Sequence, residues 1–268
     1  MKISIITPTY NSEKTVNDCV NSVLKQSYKN YEHIVIDNIS TDQTLRIIKD
    51  AYLSKNMLDN LRIISEKDDG ISDAFNKGIN AASGEILAIL NSDDEYYSED
   101  VFELVVNEFS KSNVLFVHGN IIFKDALYGS NIRKPLLCDV RKAMPYNHPT
   151  MFLRKDIYKM IGVFNTNYRY AMDFDLAVRL NKHISNSTFR ATYLNSKSLV
   201  VMNAGGASWA NEIKSVHETK QILIEHNLWD IKARINYYLR ILRTRLKRII
   251  NLFDLNIIVK MWRKIKWS

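Results

Sequence analysis

The sequence predicts an α/β protein in which a mostly parallel sheet is flanked by helices. Short apolar runs recur at residues 3–6, 33–36, 61–64 and 86–90, and each has the length of one buried strand. Helical patterns separate these runs, and turn-forming residues follow each of them. Strands that alternate with helices in this way are typical of βαβ units, and such units build parallel sheets.

Composition predicts a folded chain in a reducing compartment. Apolar residues make up 46% of the 268 positions, which is enough for a large core and excludes a disordered chain. Only Cys19 and Cys138 are present, so no disulfide framework organises the fold. We expect neither a signal peptide nor a transmembrane helix, because no apolar run has the length or the flanks that either requires.

Three helices are predicted between the first four strands, over residues 12–26, 45–52 and 71–82. Ser12 is placed as the N-cap of the first helix, and Gly84 as the C-terminal stop of the third. After residue 94 the regular alternation of strands and helices ends. The patterns then predict a helix over 98–110, a strand over 114–118, antiparallel strands and a loop within 120–146, helices over 154–161 and 173–182, a strand over 199–202, and helical structure from 211 to the end.

The net charge of +8 is concentrated at one end of the chain. Residues 231–268 hold 11 Lys and Arg residues against one acid, Asp254. The first 230 residues hold 26 basic and 28 acidic residues. The chain is therefore a near-neutral body with a cationic tail.

Polar and acidic residues follow each of the four strands. In an open parallel sheet, ligands bind at the carboxyl ends of the strands. These ends carry Pro8-Thr9-Tyr10-Asn11, then Asp37, then residues 66–68, then Asp93-Asp94. Asp37 is predicted to bind a ligand because it stands directly at a strand end, whereas Asp42 is interpreted as a helix cap.

Asp93 and Asp94 predict a divalent metal site. Two adjacent carboxylates after a buried strand repel each other unless a cation or ligand hydroxyl groups lie between them. Oxygen ligands suit Mg²⁺ or Mn²⁺, which commonly bridge carboxylates to substrate phosphates. The alternative is a turn in which Asp93 caps the helix that starts near Ser98.

A diphosphate ligand would need support other than a glycine-rich loop. The chain lacks both the G-x-x-x-x-G-K-[ST] and the G-x-G-x-x-G pattern. The metal and a few side chains would hold the diphosphate instead, with Lys67 or Lys77 as helpers. Lys77 also fits a solvated surface charge.

Four motifs in order resemble the nucleotide-sugar glycosyltransferases of family 2, which have the GT-A fold. They are TPTYN at 7–11, DNISTD at 37–42, EKDDGISDAFNKG at 66–78 and LNSDD at 90–94. The resemblance covers about residues 1–210. It implies a Rossmann-like central sheet, with a nucleotide-sugar half over 1–95, an acceptor half over 96–210, and a separate C-terminal extension over 211–268.

The resemblance also implies roles for the strand-end residues. The nucleotide sugar would be bound by Pro8, Thr9, Tyr10, Asn11, Asp37, Asp68, Lys77 and Asp93, and the cofactor, Mn²⁺ or Mg²⁺, would be ligated by Asp94. Within this set, Pro8, Tyr10 and Asp37 would hold the uracil and ribose. The chain departs from the family at Asn91, where relatives often carry Asp, so this position cannot contribute a charge.

The second half of the chain resembles the acceptor region of the same family. The matching segments are HPT at 148–150, GVF at 162–164 and AMDFDL at 171–176. The resemblance implies that Asp173 is the general base, with Asp175 as a rival for that role, and His148 and Asp175 are the expected acceptor contacts. The alternatives are that Asp173 is an N-cap or first-turn acid that favours the helix dipole, which is the preferred interpretation without the resemblance, and that His148 is a buried hydrogen-bonding residue.

The cationic tail has the pattern of basic amphipathic helices. Its apolar stripe consists of Ile235, Tyr238, Leu239, Leu242, Leu246, Ile249 and Phe253, followed by Leu255, Ile258, Trp262 and Ile265. Basic residues lie off this stripe. Such helices bind anionic membrane surfaces, so residues 231–268 are predicted to attach the protein to the cytoplasmic face of the inner membrane. The alternative is that the stripe packs on the body. No nucleic-acid partner is expected, since no matching motif is present.

Taken with the resemblance, these observations predict an inverting hexosyltransferase. The resemblance implies a lipid-diphosphate-linked sugar in bacterial O-antigen, lipopolysaccharide or capsule synthesis as the acceptor, and the expected donor is UDP-glucose or UDP-galactose. A sugar-nucleotide nucleotidyltransferase is an alternative. That class is expected to have a Gly- and Arg-rich loop after the first strand, where this chain instead has Pro8-Thr9-Tyr10-Asn11. A non-catalytic sugar- or membrane-binding protein is the third interpretation.

Overall fold

The computed structural model describes residues 1–111, 113–125, 129–185, 188, 190–205 and 211–252, with side chains up to residue 247. Nine strands occur in these ranges: β1 (Ile3–Thr9), β2 (Tyr31–Asp37), β3 (Leu61–Ser65), β4 (Ile86–Ile89), β5 (Glu95–Tyr96), β6 (Val114–Asp125), β7 (Gly129–Arg133), β8 (Phe152–Arg154) and β9 (Arg190–Asn203). The same ranges contain the α-helices α1 (Val16–Leu24), α2 (Thr44–Ser54), α3 (Ile71–Ala81), α4 (Val101–Phe109), α5 (Lys155–Ile161), α6 (Met172–Ser185), α7 (Glu212–Glu225) and α8 (Ile231–Leu252).

The described strands form one sheet with the order β3-β2-β1-β4-β8-β6-β9-β5, and β7 pairs with β6. The first four strands are parallel, as the alternation of strands and helices predicted. The second half is mixed: β8 runs antiparallel to β4 and β6, while β6 and β9 are parallel. β6 and β7 make the antiparallel pair expected within 120–146.

The parallel strands are buried on both faces, which is why they read as continuous apolar runs. Ile3 and Ile5 of β1 join a core cluster with Cys19 of α1 and Phe102 of α4. Ile6 points to the opposite face, where its cluster includes Phe75 and Ile79 of α3. Helices therefore cover both sides of the sheet and leave the strand ends free for a site.

Helix α3 lies unusually close to β1, and Gly78 makes this approach possible. A Cβ atom at position 78 would stand 2.2 Å from the Ile6 Cγ2 atom. Any larger residue would therefore push the helix away from the sheet. This contact fixes where the loop before α3, with its site residues, sits against the end of β1.

Several predicted element ends were wrong. α1 begins at Val16 rather than Ser12, with Thr15 at the N-cap position, and Ser12 Oγ instead accepts a hydrogen bond from Ser92 Oγ (2.9 Å). Gly84 does not cap α3; a Cβ there would lie 2.6 Å from Ser4 Oγ, so the glycine serves close packing. The short strands β5 and β8 were missed, and β9 begins well before residue 199.

None of the helices in the described ranges is both long and apolar enough to cross a bilayer.

Glu32 joins the amino ends of the parallel strands, on the side of the sheet away from the candidate site. Its carboxylate accepts hydrogen bonds from Ser4 Oγ (2.5 Å), Ser83 N (2.6 Å) and Gly84 N (3.2 Å), and pairs with Lys2 Nζ (3.0 Å). Burial by itself raises the pKa of this carboxyl, but the donors outweigh burial and lower the pKa to about 2. The charged form is therefore the one that stabilises the fold.

We predict that Glu32→Gln lowers the free energy of unfolding at pH 7 by about 2 kcal/mol, the size of a charged hydrogen-bond contribution. Since the pKa is about 2 when folded and roughly 4.3 when unfolded, the wild-type contribution is complete above pH ~4.3 and is lost as the pH falls towards 2. Urea unfolding at pH 7 and pH 3 should show the deficit shrinking at pH 3. The exposed Glu99→Gln serves as control. A deficit that is equal at both pH values would contradict the assignment.

Candidate active site

The buried Asp37 carboxylate joins the carboxyl ends of three strands. It accepts hydrogen bonds from Thr9 Oγ1 on β1 (3.1 Å) and Ser65 Oγ on β3 (2.7 Å). The N–H and hydroxyl of Ser40, in the following loop, donate as well (3.0 and 2.5 Å). The structure thus brings together Thr9 and Asp37, two of the predicted nucleotide-site residues, and both carboxylate oxygens are engaged by the protein itself.

The loops after β1 and β2 form an exposed platform beside Asp37. Asn11 and Ile39 adopt left-handed backbone conformations (φ 47° and 53°), and Asn11 Oδ1 accepts a hydrogen bond from Thr41 N (2.9 Å). Tyr10 is 62% exposed and Ile39 55% exposed. Pro8 is half-buried near the end of β1. The platform offers flat apolar surface of the kind on which a base or sugar ring can rest.

Asp68 and Lys77 lie around the loop between β3 and α3. Asp68 Oδ1 accepts a hydrogen bond from Gly70 N (2.9 Å), and burial raises the pKa of Asp68. Lys77 Nζ donates to the Lys67 carbonyl (2.6 Å) and pairs with Glu66 (3.0 Å). The loop therefore already engages the Lys77 ammonium, which would have to exchange these partners to reach a phosphate.

The Asp93-Asp94 pair follows β4 at the same edge of the sheet. Asp94 is 2% exposed, and its Oδ2 accepts a hydrogen bond of 3.3 Å from the Asn91 side chain. Burial, together with the neighbouring Asp93 charge, raises the pKa of Asp94 well above its usual range, and burial raises that of Asp93. Asn203, at the end of β9, donates from its amide to the Asp93 carbonyl (2.6 Å).

A divalent cation fits the residues at this turn. Asn91 Oδ1 is buried without a hydrogen-bond partner in the described part of the chain. The pKa of the adjacent Asp94 carboxyl is raised because burial and the Asp93 charge both disfavour its ionised form. A cation bound here would satisfy both groups. The described residues contain no cluster of three or more His, Cys, Asp or Glu side chains that could hold a metal. Mg²⁺ or Mn²⁺ with few protein ligands completes its shell from water and substrate phosphates, so two carboxylates and one amide oxygen are sufficient.

The predicted base and the predicted acceptor contact lie close together. Asp173 stands half-buried in the first turn of α6, and its Oδ1 accepts a hydrogen bond from Phe174 N (2.8 Å). Burial lowers the pKa of His148, while the Asp173 charge raises it, so the two groups are within electrostatic reach. The His148 ring packs near Phe75 (5.8 Å between centroids) and Phe164 (6.0 Å).

Asp175 occupies a different environment two residues further along α6. It is 3% exposed, its Oδ2 pairs with Arg179 (2.7 Å), and its Oδ1 lies 3.0 Å from His226 Nε2. Arg179 also donates to the Gly162 carbonyl (2.9 Å) at the end of α5. Asp175 thus links three helices, and both of its carboxylate oxygens are engaged.

Glu218 is a residue that sequence reasoning missed. This side chain on α7 accepts hydrogen bonds from the backbone N–H groups of Arg169 (3.1 Å), Tyr170 (2.7 Å) and Ala171 (2.8 Å). These groups precede the helix that carries Asp173, so Glu218 positions the start of that helix. No local pattern could reveal this role, because the contact spans 47 to 49 residues.

Sequence comparison places the chain among known glycosyltransferases. The family model for glycosyl transferase family 2 matches residues 4–174. The chain is 30% identical over 182 residues to a PGL/p-HBAD biosynthesis glycosyltransferase of Mycobacterium tuberculosis, covering 66% of this chain and 68% of that protein. It is 26% identical over 239 residues to the Escherichia coli UDP-Glc:alpha-D-GlcNAc-diphosphoundecaprenol beta-1,3-glucosyltransferase WfgD, covering 88% and 91%.

Solved structures share the fold. Staphylococcus aureus TarS 1-349 in complex with UDP-GlcNAc has a TM-score of 0.67 and 22% identity, covering 88% of this chain and 69% of that one. The mannosyltransferase PcManGT from Pyrobaculum calidifontis, solved with GDP-Man and Mn2+, has a TM-score of 0.65 and 18% identity, covering 84% and 63%.

The sheet and helices described above are those of a GT-A glycosyltransferase, as the sequence predicted. The chain belongs to glycosyl transferase family 2, a class of enzymes that act on nucleotide sugars. Membership in this family favours the glycosyltransferase over the nucleotidyltransferase and the non-catalytic binding protein. The assignment of individual site residues stays a prediction, as does the division of the chain at residues 95 and 210.

We predict that Asp94→Asn raises the free energy of unfolding at pH 7, without metal, by about 1 kcal/mol, because a buried charge is removed. Since burial raises the pKa of Asp94 when folded, the gain should vanish below the unfolded value of about 3.9, where both states are protonated. The variant should also lose the increase in Tm that Mn²⁺ with UDP gives the wild type. Asp100→Asn is the control: Asp100 pairs with Lys197 (2.5 Å), which lowers its pKa, so no gain is expected. A wild-type-like response of Asp94→Asn to Mn²⁺ would refute the metal site.

Proposed function

We propose that this enzyme transfers a hexose from UDP-glucose or UDP-galactose to a hydroxyl of a lipid-diphosphate-linked sugar, with inversion at the anomeric carbon. The observation that carries the proposal is the strand-end turn, where two carboxylates and an unpartnered amide oxygen suit a metal and a diphosphate. The E. coli relative WfgD, by its name, uses UDP-Glc and a diphosphoundecaprenol-linked GlcNAc. Its similarity along 88% of this chain supports the same classes of donor and acceptor here.

The donor would lie along the carboxyl ends of β1 to β4. Pro8, Thr9, Tyr10, Asn11 and Asp37 form the end intended for uracil and ribose, and Asp68, Lys77 and Asp93 follow towards the sugar-phosphate. Asp94 would hold Mn²⁺ or Mg²⁺, with Asp93 and the Asn91 oxygen beside it. When bound, the metal supplies positive charge against the leaving diphosphate.

Asp173 is the stronger candidate for the general base. Its Oδ2 has no hydrogen-bond partner among the described residues, whereas both oxygens of Asp175 are engaged. Asp173 would remove the proton from the acceptor hydroxyl as the oxygen attacks the anomeric carbon. Attack from the side opposite the leaving diphosphate inverts the configuration. Burial lowers the pKa of His148, so its neutral ring can hydrogen-bond the acceptor sugar at neutral pH.

Helix α8 supports attachment to a membrane surface. The stripe residues Ile235, Tyr238, Leu239, Leu242 and Leu246 are 43–66% exposed, and Ile231 at the start of the helix is 71% exposed. Ala233 and Thr244, on the opposite side of the helix, are buried. An apolar stripe turned outwards, with exposed Arg234, Arg243 and Arg245, suits the anionic cytoplasmic face of the inner membrane. The predicted stripe beyond these residues, at Ile249 and from Phe253 to Ile265, lies outside the described side chains.

These placements suggest a role at the membrane in surface-polysaccharide synthesis, including O-antigen, lipopolysaccharide or capsule. A lipid-diphosphate acceptor is confined to the bilayer surface. An enzyme bound to the same surface would encounter it by diffusion along the membrane. The nucleotide sugar would arrive from the cytoplasm, on the side of the strand ends.

We predict that Asp173→Asn lowers turnover by about 10²- to 10⁴-fold, the usual contribution of a general base. Binding of UDP with Mn²⁺, measured by calorimetry, should stay within about twofold of the wild type, since the donor contacts are elsewhere. Asp156→Asn, an exposed acid in the first turn of α5, provides the matched control with normal turnover. Near-normal turnover of Asp173→Asn would remove the residue from this role.

We predict that the double variant Leu242→Gln/Leu246→Gln weakens binding to anionic vesicles by roughly 30-fold, from a loss of about 2 kcal/mol of apolar burial. The measurement is cosedimentation with phosphatidylglycerol vesicles. Leu53→Gln/Leu58→Gln, which alters equally exposed residues elsewhere, is the control and should bind normally. Substitution is preferable to deletion of 231–268, because Ala233 and Thr244 pack on the body. Equal binding by both double variants would exclude the stripe as the membrane contact.

A further inference from the structure

The strand β9 ends beside the turn at residues 91–94, which we call the metal turn. β5 directly follows this turn and pairs antiparallel with β9, so that Glu95 lies opposite Val201. Continued by two residues, this register brings Asp93 level with Asn203 at the end of β9. There the Asn203 side-chain amide donates a hydrogen bond to the Asp93 carbonyl (2.6 Å). The contact joins residues that are 110 positions apart, one in each predicted half of the catalytic domain.

The hydrogen bond from Asn203 acts on the peptide group between the two carboxylates of the metal turn. The Asp93 carbonyl and the Asp94 N–H belong to the same planar peptide. Inside the turn, Asp94 N donates to the Asn91 carbonyl (3.0 Å). From outside, the Asn203 amide engages the carbonyl of that peptide. Because both polar groups of the peptide are engaged, its plane has one orientation, which sets the directions in which the Asp93 and Asp94 side chains leave the backbone.

This support matters because the charges of the metal turn oppose each other. Burial raises the pKa of Asp94 well above its usual range, and the Asp93 charge raises it further. Within the turn, the Asn91 amide reaches Asp94 Oδ2 only through a long hydrogen bond of 3.3 Å. The contact from Asn203 is shorter and comes from a different part of the chain. It can therefore hold the turn in one orientation against the repulsion of the two carboxylates.

Asn203 is itself carried on a paired part of the sheet. Lys124 of β6 lies opposite Asn203 in the parallel register, and the Lys124 carbonyl accepts a hydrogen bond from Ala204 N (2.8 Å). The Lys124 ammonium also pairs with Glu95 of β5 (2.8 Å). β6, β9 and β5 are therefore tied together where the metal turn begins. A side chain on such a framework can orient a neighbouring site more accurately than one on a free loop.

We propose that Asn203 is a positioning residue for the divalent metal: its amide holds the Asp93-Asp94 peptide in the orientation in which Asp94 can ligate the ion. The inference rests on the proposed metal site and deepens it, because it makes the last strand of the predicted acceptor half part of the donor-side metal centre. Asn203 needs no contact with the ion for this role. Loss of its amide should lower the affinity for metal while the fold survives, since the pairing of β9 with β5 and β6 remains.

The test measures the binding of Mn²⁺ to the full chain by calorimetry, with UDP present. We expect Asn203→Ala to bind Mn²⁺ about 10- to 100-fold more weakly than the wild type, the range typical of residues that orient metal ligands. Asn60→Ala is the matched control, because Asn60 donates a similar amide hydrogen bond to the Tyr31 carbonyl (2.7 Å) at the amino end of β2. Thermal unfolding should show comparable decreases in Tm for the two variants, whereas only Asn203→Ala should lose affinity for Mn²⁺.

A second titration, of UDP with a chelator present, shows which ligand the contact serves. Asn203→Ala should bind metal-free UDP as the wild type does. An equal loss of UDP binding with and without Mn²⁺ would mean that the contact serves the nucleotide, and the proposal would be overturned. Wild-type affinity for Mn²⁺ in Asn203→Ala, or an equal loss in Asn60→Ala, would overturn it as well.

The same titrations distinguish a failure of this inference from a failure of the proposed metal site. If UDP binding by the wild type does not respond to Mn²⁺, the metal site itself is refuted, and the role of Asn203 with it. If the wild type and Asn60→Ala respond to Mn²⁺ and Asn203→Ala responds equally, the metal site stands and only the role of Asn203 is refuted.

Discussion

The buried carboxylate of Asp37 is the interaction on which the donor side of the molecule depends. A buried charge is costly unless hydrogen bonds compensate it, and here the donors come from the ends of β1 and β3 and from the loop after β2. These three segments can satisfy the carboxylate only when they stand in the observed register. Asp37 therefore also helps to hold the relative positions of the loops that carry Tyr10, Asn11 and Asp68.

The acceptor side is organised by contacts from the C-terminal helices. Glu218 of α7 satisfies three backbone N–H groups ahead of α6, and His226 lies against the buried Asp175. Tyr168, in the same segment, donates its hydroxyl to Glu225 (2.5 Å). Although α7 lies beyond the residues matched by the family model, it holds the helix that carries Asp173. The extension thus forms part of the framework of the acceptor half, as well as leading to α8.

Helix α8 has two faces with different surroundings. Its body-facing side packs Ala233 and Thr244, while its outward side carries the apolar stripe. Successive residues of a helix are turned by about 100°, so residues spaced three or four apart share a face. One helix can therefore pack on the body with one face and present an apolar surface with the other.

The sequence by itself determined the parallel βαβ core, the motif residues at the strand ends and the amphipathic pattern of the tail. These follow from periodicities of 2 and 3.6 residues and from the rule that ligands lie at the carboxyl ends of parallel strands. Only the tertiary structure decided which functional groups are engaged. It showed that Asp175 is ion-paired whereas Asp173 keeps a carboxylate oxygen available, and that Asn91 Oδ1 lacks a partner among the described residues. It also showed that Glu218 binds the backbone just ahead of α6. Local patterns cannot encode these facts, because each depends on groups brought together from distant parts of the chain and on the burial that results. The direction of the tail stripe was open for the same reason: an amphipathic pattern defines a face, and only packing determines whether that face meets the body or the solvent.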